Sequence, residues 1–180
     1  MTFPVFASGD VLRAADMNAV GLWLVKTQTI GTTVSSVTVS GAFSTNYDNY
    51  KIIVAGGAGS TTGQLNITFG AAVTGYGWSS LGNTFAAGAV TTNGNEYNTV
   101  TSIEVGGFST NVISADIEVQ NPFIAENTIV YARYLESVAG GAIRHVGGSL
   151  ANTTSYTAFT LTTSTGTLTG GTIRVYGYRN

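Results

Sequence analysis

Residues 113–120 read Ile-Ser-Ala-Asp-Ile-Glu-Val-Gln. Ile113, Ala115, Ile117 and Val119 alternate with Ser114, Asp116, Glu118 and Gln120. An extended backbone turns the first set to a core and the second to water, whereas a helix would scatter both around its axis. The stretch therefore predicts a strand with one buried face. Asn121-Pro122 breaks it. Thr128–Leu135 (TIVYARYL) follows and is expected as its antiparallel partner.

The same period recurs in both directions along the chain. Residues 22–30 alternate after Gly21, and Val34, Val37 and Val39 sit in a Thr/Ser-rich strand that ends at Gly41. Residues 50–55 (YKIIVA) read as a buried strand closed by Gly56, Gly57 and Gly59. Leu65, Ile67 and Phe69 form a one-sided strand stopped by Gly70. Ile103 with Val105, residues 143–146, 156–161 and 172–178 complete the set, with Gly166, Gly170 and Gly171 in the last tight turn. Residues 71–98, rich in Gly, Asn, Thr and Ala, are expected as long loops with one short strand at most. About nine or ten strands with turn signals between them predict an all-β chain. The expected architecture over 22–180 is a jelly-roll-like antiparallel β-sandwich. Residues 1–21 differ: Val11, Leu12, Ala15, Ala19 and Leu22 recur at helical spacing, with Ser8 or Asp10 to cap and Gly21 to stop. Two turns of helix are not stable alone, so this segment is expected to dock on something.

Composition narrows the function classes. The chain has 180 residues, 43% hydrophobic, with seven basic and nine acidic residues, one His and no Cys. The hydrophobic fraction excludes a disordered chain, and the low charge excludes long coiled coils. A net charge of −2 with scattered basic residues offers no electrostatic footprint for nucleic acid. Without Cys there are neither disulfides nor thiolate metal sites. No apolar run is long enough to insert in a membrane as a helix, and MTFPVFASGD lacks the regions of a signal peptide.

Few motifs carry chemistry. Asp116 and Glu118 share one strand face about 6–7 Å apart. Such a pair serves glycoside hydrolysis or binds calcium in some settings, but its plainer reading is a solvent-facing strand edge paired with Arg133 or water. His145 has no second His and no Cys to complete a metal site, and no nucleophile elbow is present, so it is expected at the surface. Gly56-Gly57-Ala58-Gly59-Ser60 lacks the Lys-Ser/Thr and the helix of a phosphate loop, which leaves a turn. Tyr76, Trp78, Phe85 and Tyr97 are spaced through the irregular region. Rigid aromatics among Asn, Ser and Gly suit a ligand or glycan contact, and they equally suit a plug at the end of the sandwich. No catalytic residue, metal or cofactor is expected.

Three stretches carry a resemblance: FASGDVLRAADMNAVG at 6–21, GTTVSSVTVSGAFSTNYDNYKIIV at 31–54 and GTLTGGTIRVYGYRN at 166–180. Together they resemble virion surface proteins of tailed bacteriophages, the small β-modules of tail fibres, minor tail proteins and head fibres or decorations. The resemblance implies a non-enzymatic structural protein located in the virion, assembled in the bacterial host cytoplasm. It implies a tail-tip or fibre module contacting the host surface, with a capsid decoration or head fibre as the alternative and a glycan-active hydrolase as a third class. A homotrimer is expected from the resemblance and from the low charge. The docking segment would attach to other virion proteins through Phe3, Val5, Phe6, Val11 and Leu12. Burying two Phe and two aliphatics of this set contributes on the order of 6–12 kcal/mol gross per copy, much of which ordering of the segment offsets. Host cell-surface glycan is the expected external partner.

Overall fold

A computed structural model describes residues 9, 21–85, 88–136 and 141–178, leaving aside the side chains of 95–97. The described residues form strands and turns, with no helix. The strands are β1 (Leu22–Thr29), β2 (Ser36–Ser40), β3 (Asn49–Ala55), β4 (Ala58–Gly59), β5 (Gly63–Phe69), β6 (Tyr76–Thr84) and β7 (Val90–Val100). They continue with β8 (Ile103–Ser109), β9 (Val112–Gln120), β10 (Thr128–Leu135), β11 (Ala142–Leu150), β12 (Ala158–Thr163), β13 (Leu168–Thr169) and β14 (Thr172–Tyr178). The expected N-terminal helix, the boundary at residue 21 and the anchors Phe3, Val5, Phe6, Val11 and Leu12 lie at or outside the limits of the described residues.

The alternation of β9 is realised as read. Ile113, Ala115, Ile117 and Val119 are buried, and the polar set faces the other way. β10 is its antiparallel partner, with Arg133 opposite Asp116 and Tyr131 opposite Glu118. β3 occupies the other side of β9, with Lys51 opposite Glu118. The carboxylate strand is therefore interior to the sheet and not an edge.

Twelve strands form one antiparallel network, and β4 pairs with β13 separately. The network has two tiers. One runs β1-β14-β3-β9-β10-β11-β6-β7 and the other β2-β12-β5-β8. Gly107–Ser109 against Val112–Ser114 joins them at a corner. Their apolar faces enclose one core, giving a sandwich-like fold. At its centre the Phe43 ring lies 4.8 Å from Tyr50, 5.6 Å from Phe159 and 6.1 Å from Phe69. Each such side chain contributes about 1.5–3 kcal/mol by leaving water.

Residues 71–98 are not loops. β6 and β7 form a hairpin, with Leu81 opposite Thr92 and Asn83 opposite Val90. The reason is visible on the inner face of β6, where Ser80 and Gly82 stand at buried positions. A Cβ on Gly82 would lie 2.7 Å from the Ile143 carbonyl oxygen, so the strands approach where a larger residue cannot fit. β11 is longer than residues 143–146, and it buries Arg144 beside Ala142, Val146 and Leu150 while Ile143 is exposed. Beneath it, Gly107 of β8 lets the end of β10 cross closely, since a Cβ there would lie 2.4 Å from the Leu135 carbonyl oxygen.

Candidate functional site

The outward face of β3, β9, β10 and β11 gathers the polar side chains. Lys51 Nζ donates to Asp116 Oδ1 at 2.5 Å, and Arg133 Nη2 donates to Asp116 Oδ2 at 2.9 Å. Lys51 Nζ also stands 3.8 Å from Glu118 Oε1, to which the Tyr178 hydroxyl donates at 3.3 Å. Partial burial, then the charge of Glu118, pushes the Tyr178 hydroxyl pKa up. Cross-strand register produces this cluster, because residues directly opposite in neighbouring strands share a face.

Three shallow depressions run across this face. The middle one, about 270 Å³, is lined by Asp116, Glu118, Tyr131, Arg133 and His145. Glu118 also borders a neighbour of about 280 Å³ with Asn49, Gln120 and Tyr178. His145 also borders one of about 210 Å³ with Leu81, Val90 and Ile143. The trough changes from charged to apolar along its length. Its charges are already paired, which suits hydrogen-bonded contact with a polar surface better than proton transfer.

Of the sequence-predicted contact residues, Tyr76, Trp78 and Phe85 have described side chains, and they differ in exposure. Tyr76 is fully buried, and its hydroxyl accepts the Phe69 N–H at 2.9 Å. Burial pushes its pKa up to about 12. It is a core residue. Trp78 is half-buried and packs against the core from the inner face of β6. Phe85 is exposed beyond the end of β6, where its N–H donates to the Gly141 carbonyl at 2.9 Å. Tyr97 lies in β7, and its side chain is outside the described set. His145 is exposed, and among the described residues no group of His, Asp and Glu is placed to hold a metal ion.

A second polar cluster lies on the inner side of the same strands, and sequence reading missed it. Arg144 donates from Nε at 3.2 Å and Nη2 at 3.0 Å to Glu136 Oε2, and from Nη1 at 2.9 Å to Thr91 Oγ1. Gln64 Nε2 donates to Glu136 Oε1 at 3.1 Å. The Tyr134 hydroxyl donates to the Glu104 carboxylate. Burial pushes the Glu104 pKa up and Glu136 adds to this, while Tyr134 and Arg144 oppose it. The Tyr134 pKa is raised by burial and by Glu104. The cluster ties β5 and β8 to β7, β10 and β11. Its only sequence signal was Arg144 at the wrong parity for an exposed residue beside Val146.

No protein-family model matches the chain, and neither a curated protein nor a solved structure does.

Proposed function

We propose that the chain is a non-enzymatic structural module of a tailed-bacteriophage virion, a trimeric jelly roll displayed at the tail tip or fibre. The observation that carries the reading is the pairing order. β1 pairs with β14, β2 with β12, β3 with β9 and β5 with β8. First pairs with last and the partners converge inward, as in two Greek keys wound into a jelly roll. The fold class is common among viral capsid and lectin domains but fixes no function by itself. The resemblance of residues 6–21, 31–54 and 166–180 supplies the virion context. The long strands β6, β7, β10 and β11 fall in two insertions of this order and widen one sheet into a broad outer face.

The non-enzymatic part rests on the state of the carboxylates. Asp116 holds two cations and Glu118 holds Tyr178 and the edge of Lys51, so neither stands ready as a general acid. A glycosidase needs one carboxyl kept protonated beside a second one. Gold-labelled antibody against residues 21–178, applied to intact phage particles, tests the location. Label at the tail supports the reading, label on the head selects the capsid-decoration alternative, and unlabelled particles overturn both. Release of reducing ends from host cell-wall polysaccharide would overturn the non-enzymatic part.

A further inference from the structure

The wide sheet has two free lateral ends. β1 pairs with β14 alone, and β7 with β6 alone, among the described strands. Among the described residues, six of the nine exposed large apolar side chains stand at or near these ends: Leu22, Trp23 and Leu24 at one, Leu81, Val90 and, two strands in, Ile143 at the other. Monomeric proteins blunt such edges or cover them.

Two further facts relate the two ends to each other. First, the sheet between them has eight strands, each antiparallel to the next, so β1 and β7 run in opposite directions. A second copy placed beside the first by rotation about an axis along the strands meets β7 with its own β1, antiparallel. Second, the apolar residues share a face. Leu22 and Leu24 lie opposite Tyr178 and Tyr176, on the outward side. Leu81, Val90 and Ile143 line the outward depression of about 210 Å³.

We propose that β1 of one copy of this chain adds to the β7 edge of the next, with Leu22 and Leu24 seated against the Leu81–Val90–Ile143 depression. The contact is heterologous, so successive rotations close a ring. Backbone hydrogen bonds set the direction and the apolar seat excludes water from them. The inference deepens the self-association in the proposed function and rests on it, but not on the location in the particle.

The chain has no Cys, so introduced thiols report the contact cleanly. Leu24→Cys is combined in turn with Val90→Cys, Thr92→Cys and Gly94→Cys, three outward positions that sample neighbouring registers. Mild oxidation is followed by non-reducing gels. The expected result is a disulfide-linked ladder ending in a closed trimer for at least one pair, and none for any single variant. Leu24→Lys is expected to abolish the trimer and leave a folded 18.5 kDa chain in light scattering. Cross-linking by Leu24→Cys alone would mean β1 meets β1 and overturns the proposal. A trimer that stays uncross-linked in all three pairs also overturns it, while leaving the trimeric reading in place. A monomeric wild-type chain overturns both.

Discussion

The two halves of the wide sheet share one core, but only one of them adds a buried polar cluster to it. On the side of β1, β14, β3 and β9, the inner face meets the β2-β12-β5-β8 tier through hydrocarbon and rings, with Tyr50, Phe69 and Phe159 packed around Phe43. On the side of β10, β11, β6 and β7, the inner face sends Tyr76, Val130, Ala132, Val146 and Leu150 into the same core and adds, toward β8 and β5, the polar cluster of Arg144, Glu136, Glu104, Tyr134 and Gln64. Apolar burial is indifferent to pH and tolerant of direction. A buried ionic network is directional, and it costs dearly when one member is lost. The apolar half should therefore set global stability, and the polar half should open first and respond to pH.

The largest effect is expected in the apolar half. Phe69 is fully buried and touches the rings of Phe43 and Tyr156. Phe69→Ala should cost about 3–5 kcal/mol in urea unfolding, with all strands lost together. Survival of the β6 and β7 amides while β3 and β14 unfold would break the comparison.

Next comes Arg144→Ala. Its side chain is 9% exposed, and its loss leaves Glu136 without its cation. Hydrogen bonds to charged groups of this kind contribute about 1.5–3 kcal/mol. The loss should be local. Hydrogen exchange should quicken in β6, β7, β10 and β11 and stay unchanged in β3, β12 and β14. Uniform quickening would mean that the two halves form one cooperative unit.

How far this division could be read from the sequence follows from the same physics. β9, β3, β5, β10 and β14 were legible because each alternates strictly, with Ile, Val, Leu, Phe or Tyr at the buried parity. β6 and β7 were not, because Gly77, Gly82 and Gly94 thin the pattern and β6 buries Ser80 instead of a large apolar residue. β11 misleads more strongly. Its Ala142, Val146 and Leu150 are inside, but Arg144 shares their parity while Ile143 is outside, and only the distant Glu136 and Thr91 explain the buried guanidinium. At the outer face, the pairing of Asp116 with Arg133 was legible from adjacent strands. Lys51 and Tyr178 were not, since β3 and β14 reach β9 through sheet order and not through sequence proximity. The aromatic set at 76–97 was judged by spacing as a loop surface, and a hairpin turned its first two members inward.

The pH response sharpens the comparison with a smaller signal. The Glu104 carboxyl has its pKa raised above the usual 4.5, mainly by burial. A carboxyl with a raised folded pKa holds its proton more tightly in the native state. Its stabilisation is fully present below 4.5 and is lost as pH rises through the folded value. Exchange protection in β8 and β10, corrected for intrinsic rates, should therefore fall across that window more than protection in β3. Glu104→Gln, which keeps an acceptor for Tyr134, should flatten the difference. Equal slopes in wild type and variant would remove Glu104 from the account.

The smallest effect is a gain. Thr128 opens β10 opposite Leu150 and is 1% exposed, and its Oγ1 has no hydrogen-bond partner. No protein group pairs with this hydroxyl, which lies where the polar half begins. Val has nearly the same shape and keeps the β-branched preference for a strand. Thr128→Val should therefore stabilise by about 1 kcal/mol, seen as a rise in Tm of about 2–4 °C. Ser80→Ala removes the other unpartnered hydroxyl, in β6, but exchanges polarity for a methyl with no added volume. The two gains should add, since the residues lie on strands separated by β11. A fall in Tm for Thr128→Val would show that the hydroxyl is satisfied by a bound water at the junction of the two halves, and that this junction is wetter than the apolar core beside it.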